Sequence, residues 1–385
     1  MKLVFFCHPS FMRSQSMPRF ARMLGERMAL KGHEVTYWSP QPRAFGRFQG
    51  TRFEKWAGYL DQYVLFPAWV RRQLTQVDPQ TLFVFCDQAL GPWVPLVANR
   101  PHVVHAHDLL ALRSALGLIP QNPTGWTGRM YQRYIRQGFQ QARHFISVSK
   151  RTQDELVRFG RVNPQTSAVV YNGLNHPYQQ VPRHVAMQRL QAAGLPAQPD
   201  GMLLHVGGDQ WYKNTAGVIH LYSAYVEQSD DPLPLWMVSP PPRRADVRAA
   251  LAEVPANGRV HFFQGLDNEA LESAYSVARA FLFPSLAEGF GWPIIEAQAC
   301  GCPVVTTNDA PMNEIGGPLC HYAPLPAAKQ CLKDWARSAL PSLMAAIQAC
   351  DASREQRRAW TDAFRQDAAI DAYLQVYREV LSKAG

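Results

Sequence analysis

Twice along this chain, short runs of β-branched and aromatic residues alternate with stretches of helical periodicity, and that rhythm limits the possible folds more than any other feature. KLVFFCH (2–8), TLFVFC (81–86), HVVHAH (102–107), HFISVS (144–149) and SAVVYN (167–172) read as strands separated by helical patterns. Between the first two, SQSMPRFARMLGERMALKGHEVTYW (14–38) reads as a helix, capped by Ser16, with Pro18 in its first turn and Gly32 at its end, and then a strand. A polar connector rich in Pro and Gln follows at 175–200. The alternation then restarts with GMLLHVG (201–207), LPLWMVS (233–239), RVHFFQG (259–265), RAFLFP (279–284) and PVVTT (303–307). Alternating strands and helices with continuously apolar strands imply parallel sheets covered on both faces. The expected fold is therefore α/β, with two doubly wound Rossmann-like domains facing across a cleft. The last segment, AFRQDAAIDAYLQVYREVL (363–381), is an amphipathic helix with no strand after it.

A chain of 385 residues has room for two such cores, and 47% hydrophobic with 18% charged residues describes a globular protein. No apolar run approaches the roughly 18 residues that span a bilayer. Lys2 and the short LVFF stretch resemble the start of a leader, but His8 and Pro9 interrupt it, so the expected location is cytoplasmic. The seven cysteines are scattered and read as free, mostly buried thiols. Cys300-Gly301-Cys302 lacks the second pair a zinc site needs, so no metal is expected.

Charge is uneven. Residues 1–180 hold 22 Lys and Arg against 9 Asp and Glu, whereas 181–385 hold 17 against 21. A basic first half suits an anionic partner such as a membrane surface or a lipid phosphate. A solvated basic face with no partner is the plainer alternative. Segment 43–72 interleaves Arg and Lys with Phe, Trp and Tyr, which fits either a membrane-surface helix or an ordinary helix whose aromatics cover the sheet. Nucleic acid is not expected, because no recognition motif accompanies the basic residues.

The second half carries the clearest chemistry. In EGFGWPIIEAQACGCPVV (288–305), Pro293 suits a first helical turn and Gly301 a helix end, while Gly289 and Gly291 let another group approach the backbone. Such a loop-to-helix edge is an anion site. Glu296 is expected in the first turn, where the helix dipole stabilises a carboxylate by roughly 0.3–1 kcal/mol. It would also accept hydrogen bonds from a ribose diol. Glu288 sits on the preceding loop. Two carboxylates near a phosphate call for a cation, and HVGGDQWYKN (205–214) supplies Lys213 at the start of the next helix, after Gly207 and Gly208. A lone surface lysine is the plainer reading of that residue.

These residues resemble the signature of glycosyltransferase family four: a glutamate, seven residues, a second glutamate, then Ala and a Gly-x-Pro-Val-Val strand. GLDNEALESAYSVARAFLFPSLAEGFG, HVGGDQWYKN, VVYNGLN (169–175), HVVHAHD (102–108) and ISVSKRTQDELVRFG (146–160) resemble further elements of the same family, so the likeness covers nearly the whole chain. The resemblance implies a GT-B architecture. Its acceptor-side domain spans 1–178 and is joined by the C-terminal helix 363–385; its nucleotide-sugar domain spans 179–362; no metal is required. By the same resemblance Glu288 meets the donor sugar, Glu296 the ribose, and the N–H groups of Gly289, Phe290 and Gly291 face sugar and phosphates. Lys213, beside Asn214, neutralises the diphosphate, His107 lies at the sugar–phosphate junction, and Leu266 lies against the base. Asn172 and Gly173 form the hinge. Two departures stand out. Asp209 and Gly208 occupy the positions where many relatives carry an arginine ahead of the loop lysine. HPSFMRSQSM (8–17) replaces the usual double-glycine turn after the first strand.

The expected activity is retaining transfer of a sugar from a nucleoside-diphosphate donor to a hydroxyl acceptor, lipid-linked or polysaccharide. Lys213 and the 289–293 backbone would stabilise the leaving diphosphate, and a diphosphate oxygen would take the acceptor proton. His105, on the same strand face as His107, reads as structural. The alternatives are a sugar-nucleotide epimerase or phosphorylase on the same architecture, and a non-catalytic protein that binds anions or lipids.

Overall fold

Six short strands run parallel in each of two sheets, as the apolar runs require. In this computed structural model, which describes residues 1–12, 16–327, 330–349 and 353–384, the chain divides into two compact units. One comprises Met1–Gly173 and Asp367–Gly385, the other Leu174–Gln366. The helix Ser16–Leu30 begins at the residue read as its cap, but the Ser16 side chain lies outside the described residues.

The first unit holds β1 (Lys2–Phe6), β2 (Glu34–Trp38), β3 (Leu82–Phe85), β4 (His102–Ala106), β5 (His144–Ser147) and β6 (Thr166–Val169), in the order β2-β1-β3-β4-β5-β6. Every neighbouring pair in it is parallel. Alternate side chains feed separate cores on the two faces. Val4, Phe6, Phe83, Phe85 and Val104 join Val70, Trp93, Ile135 and Phe139 on one side. Leu3, Phe5, Leu82, Val84 and Val103 join Phe20, Leu24 and Met28 on the other, where Ile370, Tyr373 and Tyr377 of the helix Gln366–Ala384 complete the cover. This two-sided burial is why β3 and residues 3–6 of β1 are apolar at every position, whereas the edge strand β2, with Glu34 and Thr36, is mostly exposed.

The second unit repeats the plan with β7 (Leu203–Val206), β8 (Leu235–Val238), β9 (Val260–Phe263), β10 (Ala280–Phe283), β11 (Val304–Thr307) and β12 (His321–Ala323), in the order β12-β11-β10-β7-β8-β9. Leu204, Trp236, Phe281 and Val304 face one core, and Leu203, Met237, Leu282 and Val305 the other. β12 was not expected: three residues, His-Tyr-Ala, carry too little pattern to read as a strand. Several expected strands are also shorter than their apolar runs. β5 stops at Ser147 because Ser149 turns to cap the helix Lys150–Glu155, its hydroxyl accepting from the N–H of Thr152.

The basic aromatic segment divides between core and surface. Phe66 and Val70 of the helix Phe66–Leu74 enter the core, whereas Phe53, Trp56, Leu60 and Val64 stay exposed. Among the described residues no helix is long and apolar enough to cross a membrane. Cys7, Cys86, Cys300, Cys302 and Cys320 are free and buried, and Cys331 is free and exposed; Cys350 lies outside the described residues.

Gly91 and Gly138 let the 3₁₀ segment Gln88–Val97 and the helix Trp126–Phe139 touch backbone to backbone. A Cβ on Gly138 would run into the carbonyl of Gly91, and one on Gly91 into that of Ile135. Both obstacles are backbone, so neither yields cheaply. Gly138→Ala is expected to cost about 1–3 kcal/mol. A melting temperature equal to that of the unaltered chain would show that the two segments separate freely.

Candidate functional site

In an open parallel sheet, ligands bind beyond the carboxyl ends of the strands, where the strand order reverses. In the second unit β7 leads to β8 on one side, and the chain later returns to place β10 on the other, so the reversal lies between β7 and β10. The loop after β7 carries Lys213, and the loop after β10 carries Glu288. They meet: the Lys213 ammonium donates to Oε1 of Glu288 at 2.8 Å, with both side chains largely buried.

Backbone and hydroxyl contacts join the two loops. The hydroxyl of Ser285 donates to Oε1 of Glu288 at 2.5 Å and lies 2.9 Å from the Tyr212 carbonyl, which also accepts from the N–H of Leu286 at 2.7 Å. The Asn214 amide donates to the carbonyl of Pro284, and the Thr307 hydroxyl to that of Ser285. Lys213 does not open the helix, as the sequence reading has it. It closes a 3₁₀ turn, Trp211–Lys213, and left-handed Asn214 (φ 53°) precedes the helix Thr215–Val226. The ammonium lies 4.7 Å from the centre of the Phe283 ring, so an apolar face and a carboxylate hold it together.

Glu296 requires a correction. The helix starts at Trp292, so Glu296 is its fifth residue, beyond the first turn. The carboxyl is buried rather than displayed, and Tyr275 donates to its Oε2 at 3.2 Å. Burial pushes it up to about 7, against the hydrogen bond from Tyr275 and the charge of Lys213. Gly291 adopts φ 103°, a region that favours glycine, and turns the chain into this helix. The Phe290 ring is buried against Trp292 and Phe364. Beneath the lysine loop, a Cβ on Gly207 would strike the imidazole of His205, and one on Gly208 the side chain of Gln210. Leu266 is half-buried against the core of this unit. Sequence reasoning missed His205, which donates through Nδ1 to the Leu282 carbonyl; burial chiefly, with Lys213 adding to it, pushes the ring down to about 4. It also missed Ser285 and Tyr275, the partners of the two glutamates.

His107 belongs to the first unit, just past β4. Its ring is buried, donates through Nε2 to the Cys86 carbonyl at 2.8 Å, and meets Phe20 edge to face. Burial lowers its pKa, against the charge of Asp87. His105 is fully buried and hydrogen-bonded to the Tyr377 hydroxyl. His8 and Asp87, which the sequence reading did not select, form a pair in the same unit, with Nε2 and Oδ2 2.8 Å apart. No spacing rule links residues 8 and 87; only the sheet order brings them together. Among the described residues no three His, Cys, Asp or Glu side chains are grouped to hold a metal.

A family model described as "Glycosyl transferases group 1" matches residues 188–317, and one described as "Glycosyltransferase Family 4" matches residues 17–176. The chain belongs to the family four glycosyltransferases, group 1. This family four chain is 28% identical over 192 residues to an O-antigen chain mannosyltransferase B of Escherichia coli, a match covering 49% of each protein. It is 23% identical to the O-antigen chain mannosyltransferase RfbU of Salmonella typhimurium, over 58% of this chain and 56% of that one. The match thus spans about half the length of these relatives. In fold it is similar to a sucrose-phosphate synthase of Thermosynechococcus elongatus, with a TM-score of 0.71, 19% identity and 100% of both chains covered.

The buried Glu296 carboxyl gives a pH test. Its folded pKa is raised from 4.5 to about 7, so its contribution to stability is present below 4.5 and is lost as pH rises through 7. Glu296→Gln does not titrate. Between pH 5 and pH 8 it should gain on the wild type by on the order of 3 kcal/mol, read as a growing difference in melting temperature. A difference independent of pH would show that the carboxyl is not desolvated.

Proposed function

We propose that this chain is a retaining glycosyltransferase that moves a sugar from a nucleoside-diphosphate sugar to a hydroxyl acceptor during assembly of a surface polysaccharide or glycolipid. The observation that carries the reading is the meeting of Lys213 and Glu288 at the strand reversal of the second unit, within a chain of family four. Lys213 is the cation for the diphosphate. When the diphosphate takes the ammonium, Glu288 is released toward the hydroxyls of the donor sugar. Glu296 holds the ribose hydroxyls, and ribose binding favours its ionised form. The N–H groups of Gly289, Phe290 and Gly291 turn toward sugar and phosphates, Gly207, Gly208 and Asn214 shape the loop that brings up Lys213, and Leu266 borders the base.

Chemistry under this reading is electrostatic. As the bond from the anomeric carbon to the diphosphate lengthens, negative charge grows on the leaving oxygen, and a cation fixed beforehand stabilises it without reorganising. The scheme calls on no metal or cofactor. Because the two O-antigen relatives are named mannosyltransferases, GDP-mannose is the first donor to test. Lys213→Ala should lower turnover by roughly a hundredfold or more, on protein whose melting confirms that it is folded. Turnover within about twofold of wild type would remove Lys213 from the mechanism.

The proposal extends to peripheral contact with an anionic membrane, at its inner cytoplasmic face. Trp56, Leu60 and Val64 on one helical stretch, and Trp126, Met130 and Tyr134 on the helix Trp126–Phe139, stay exposed and apolar. Tyr59, Tyr63 and Tyr131 line the groove that these segments share. The exposed cations Arg47, Arg52, Lys55, Arg129 and Arg133 lie on the same segments, where Glu54 and Asp61 are the only acids of 43–72. Aromatics at headgroup depth with cations on anionic lipid suit that surface. The doubly substituted Trp56→Glu, Trp126→Glu chain should lose sedimentation with phosphatidylglycerol vesicles while keeping its melting temperature. Unchanged sedimentation would move the contact elsewhere.

A further inference from the structure

Ser285 stands where the loops after β7 and β10 meet, and its hydroxyl has two acceptors within reach. Oε1 of Glu288 lies 2.5 Å from Oγ, and the carbonyl oxygen of Tyr212 lies 2.9 Å from it. A hydroxyl carries one proton, so it donates to one of them at a time. In the empty site the proton belongs to Glu288, because a hydrogen bond to a charged acceptor is roughly twice as strong as one to a neutral carbonyl.

The rest of the residue is tied down. Ser285 is buried, its N–H donates to the Phe283 carbonyl at 2.8 Å, and its own carbonyl accepts from the Thr307 hydroxyl at 2.6 Å. On either side, Pro284 is held by the Asn214 amide and Leu286 by the Tyr212 carbonyl. The backbone is fastened, so the hydroxyl proton is the part free to change partners. Its two acceptors lie on opposite sides of the exchange that donor binding demands. Glu288 is the carboxylate that gives up the lysine, and its Oε1 takes both the Ser285 proton and the Lys213 ammonium. Tyr212 precedes Lys213 in the turn Trp211–Lys213. The Tyr212 carbonyl accepts from the N–H of Leu286 at 2.7 Å and, having two lone pairs, has room for a second donor.

We propose that Ser285 is a positioning residue of the donor site: its one proton latches Glu288 onto Lys213 until a diphosphate arrives, then fastens the turn that carries Lys213. This rests on the glycosyltransferase reading and concerns the second unit alone. When the diphosphate draws off the ammonium, Glu288 turns to the donor sugar and its hydrogen bond with Ser285 breaks. Oγ–H then rotates to the Tyr212 carbonyl, so no buried donor is left without a partner. The bond given up is the stronger of the two. Ser285 therefore opposes nucleotide binding while it steadies the lysine that the nucleotide uses. A serine that merely supported the fold would do the reverse, and its removal would weaken binding.

The test is calorimetric titration of the full chain with GDP and with UDP. Ser285→Ala should bind whichever nucleotide the wild type binds on the order of tenfold more tightly, the difference between a charged and a neutral hydrogen bond. Ser285→Cys keeps the shape of the side chain and donates weakly, so its Kd should shift the same way by a smaller factor. That variant carries the test if the alanine chain does not fold. In a Glu288→Gln background the charged acceptor is gone, and adding Ser285→Ala should change Kd by less than about twofold. If both Ser285 variants bind nucleotide as the wild type does or more weakly, or if the shift is the same with Gln at 288, the latch falls. The glycosyltransferase reading then still stands, provided the wild type binds nucleotide and Lys213→Ala does not. If the wild type binds neither nucleotide, both fall.

Discussion

One buried ion pair, Lys213 with Glu288, organises the second unit's site. Its members are 75 residues apart, and only the order of the sheet, with β10 laid beside β7, makes them neighbours. Taking both charges out of water is costly, and the pair repays that through a short contact, the Ser285 hydroxyl and the face of Phe283. Removing one member leaves the other buried and uncompensated, at a cost of about 3–5 kcal/mol. A ligand with a denser negative charge at the same spot gives the lysine a better partner, and under the proposed function that ligand is the diphosphate.

Around this pair the surroundings keep the other ionisable groups from competing for the lysine. His205 is held neutral near physiological pH, so no second cation sits beneath the ammonium. Glu296 is buried with a hydroxyl partner and titrates close to neutrality, which lowers its negative charge before a ligand arrives. In the first unit the same logic yields a different pair, a carboxylate holding an imidazole, at the corresponding reversal of strand order.

The fold was legible because a two-sided parallel sheet imposes an unusual pattern on its inner strands, such as β1, β3 and β10: apolar residues at consecutive positions, spaced by helices. Phe5 and Phe6 face opposite cores, and no alternation of polar and apolar residues dilutes the signal. β12 escaped because three residues carry no period, and β5 was read too long because Ser149 looked like strand until its cap was seen. Lys213, Glu288 and Glu296 were legible from local glycines, the proline at 293 and the family signature. Burial of Glu296 was not, since it depends on Tyr275 from another helix. His8 and Asp87 left no trace at all: their partnership exists only once β1 and β3 lie side by side.

The central claim is that the cation at the β7–β10 reversal exchanges its carboxylate for a diphosphate. A crystal structure of the chain with bound GDP or UDP tests it most directly. The account predicts the Lys213 ammonium within ion-pair distance of the terminal phosphate and withdrawn from Glu288. A nucleotide bound with Lys213 still paired to Glu288, and its phosphates away from the loop after β7, would contradict it.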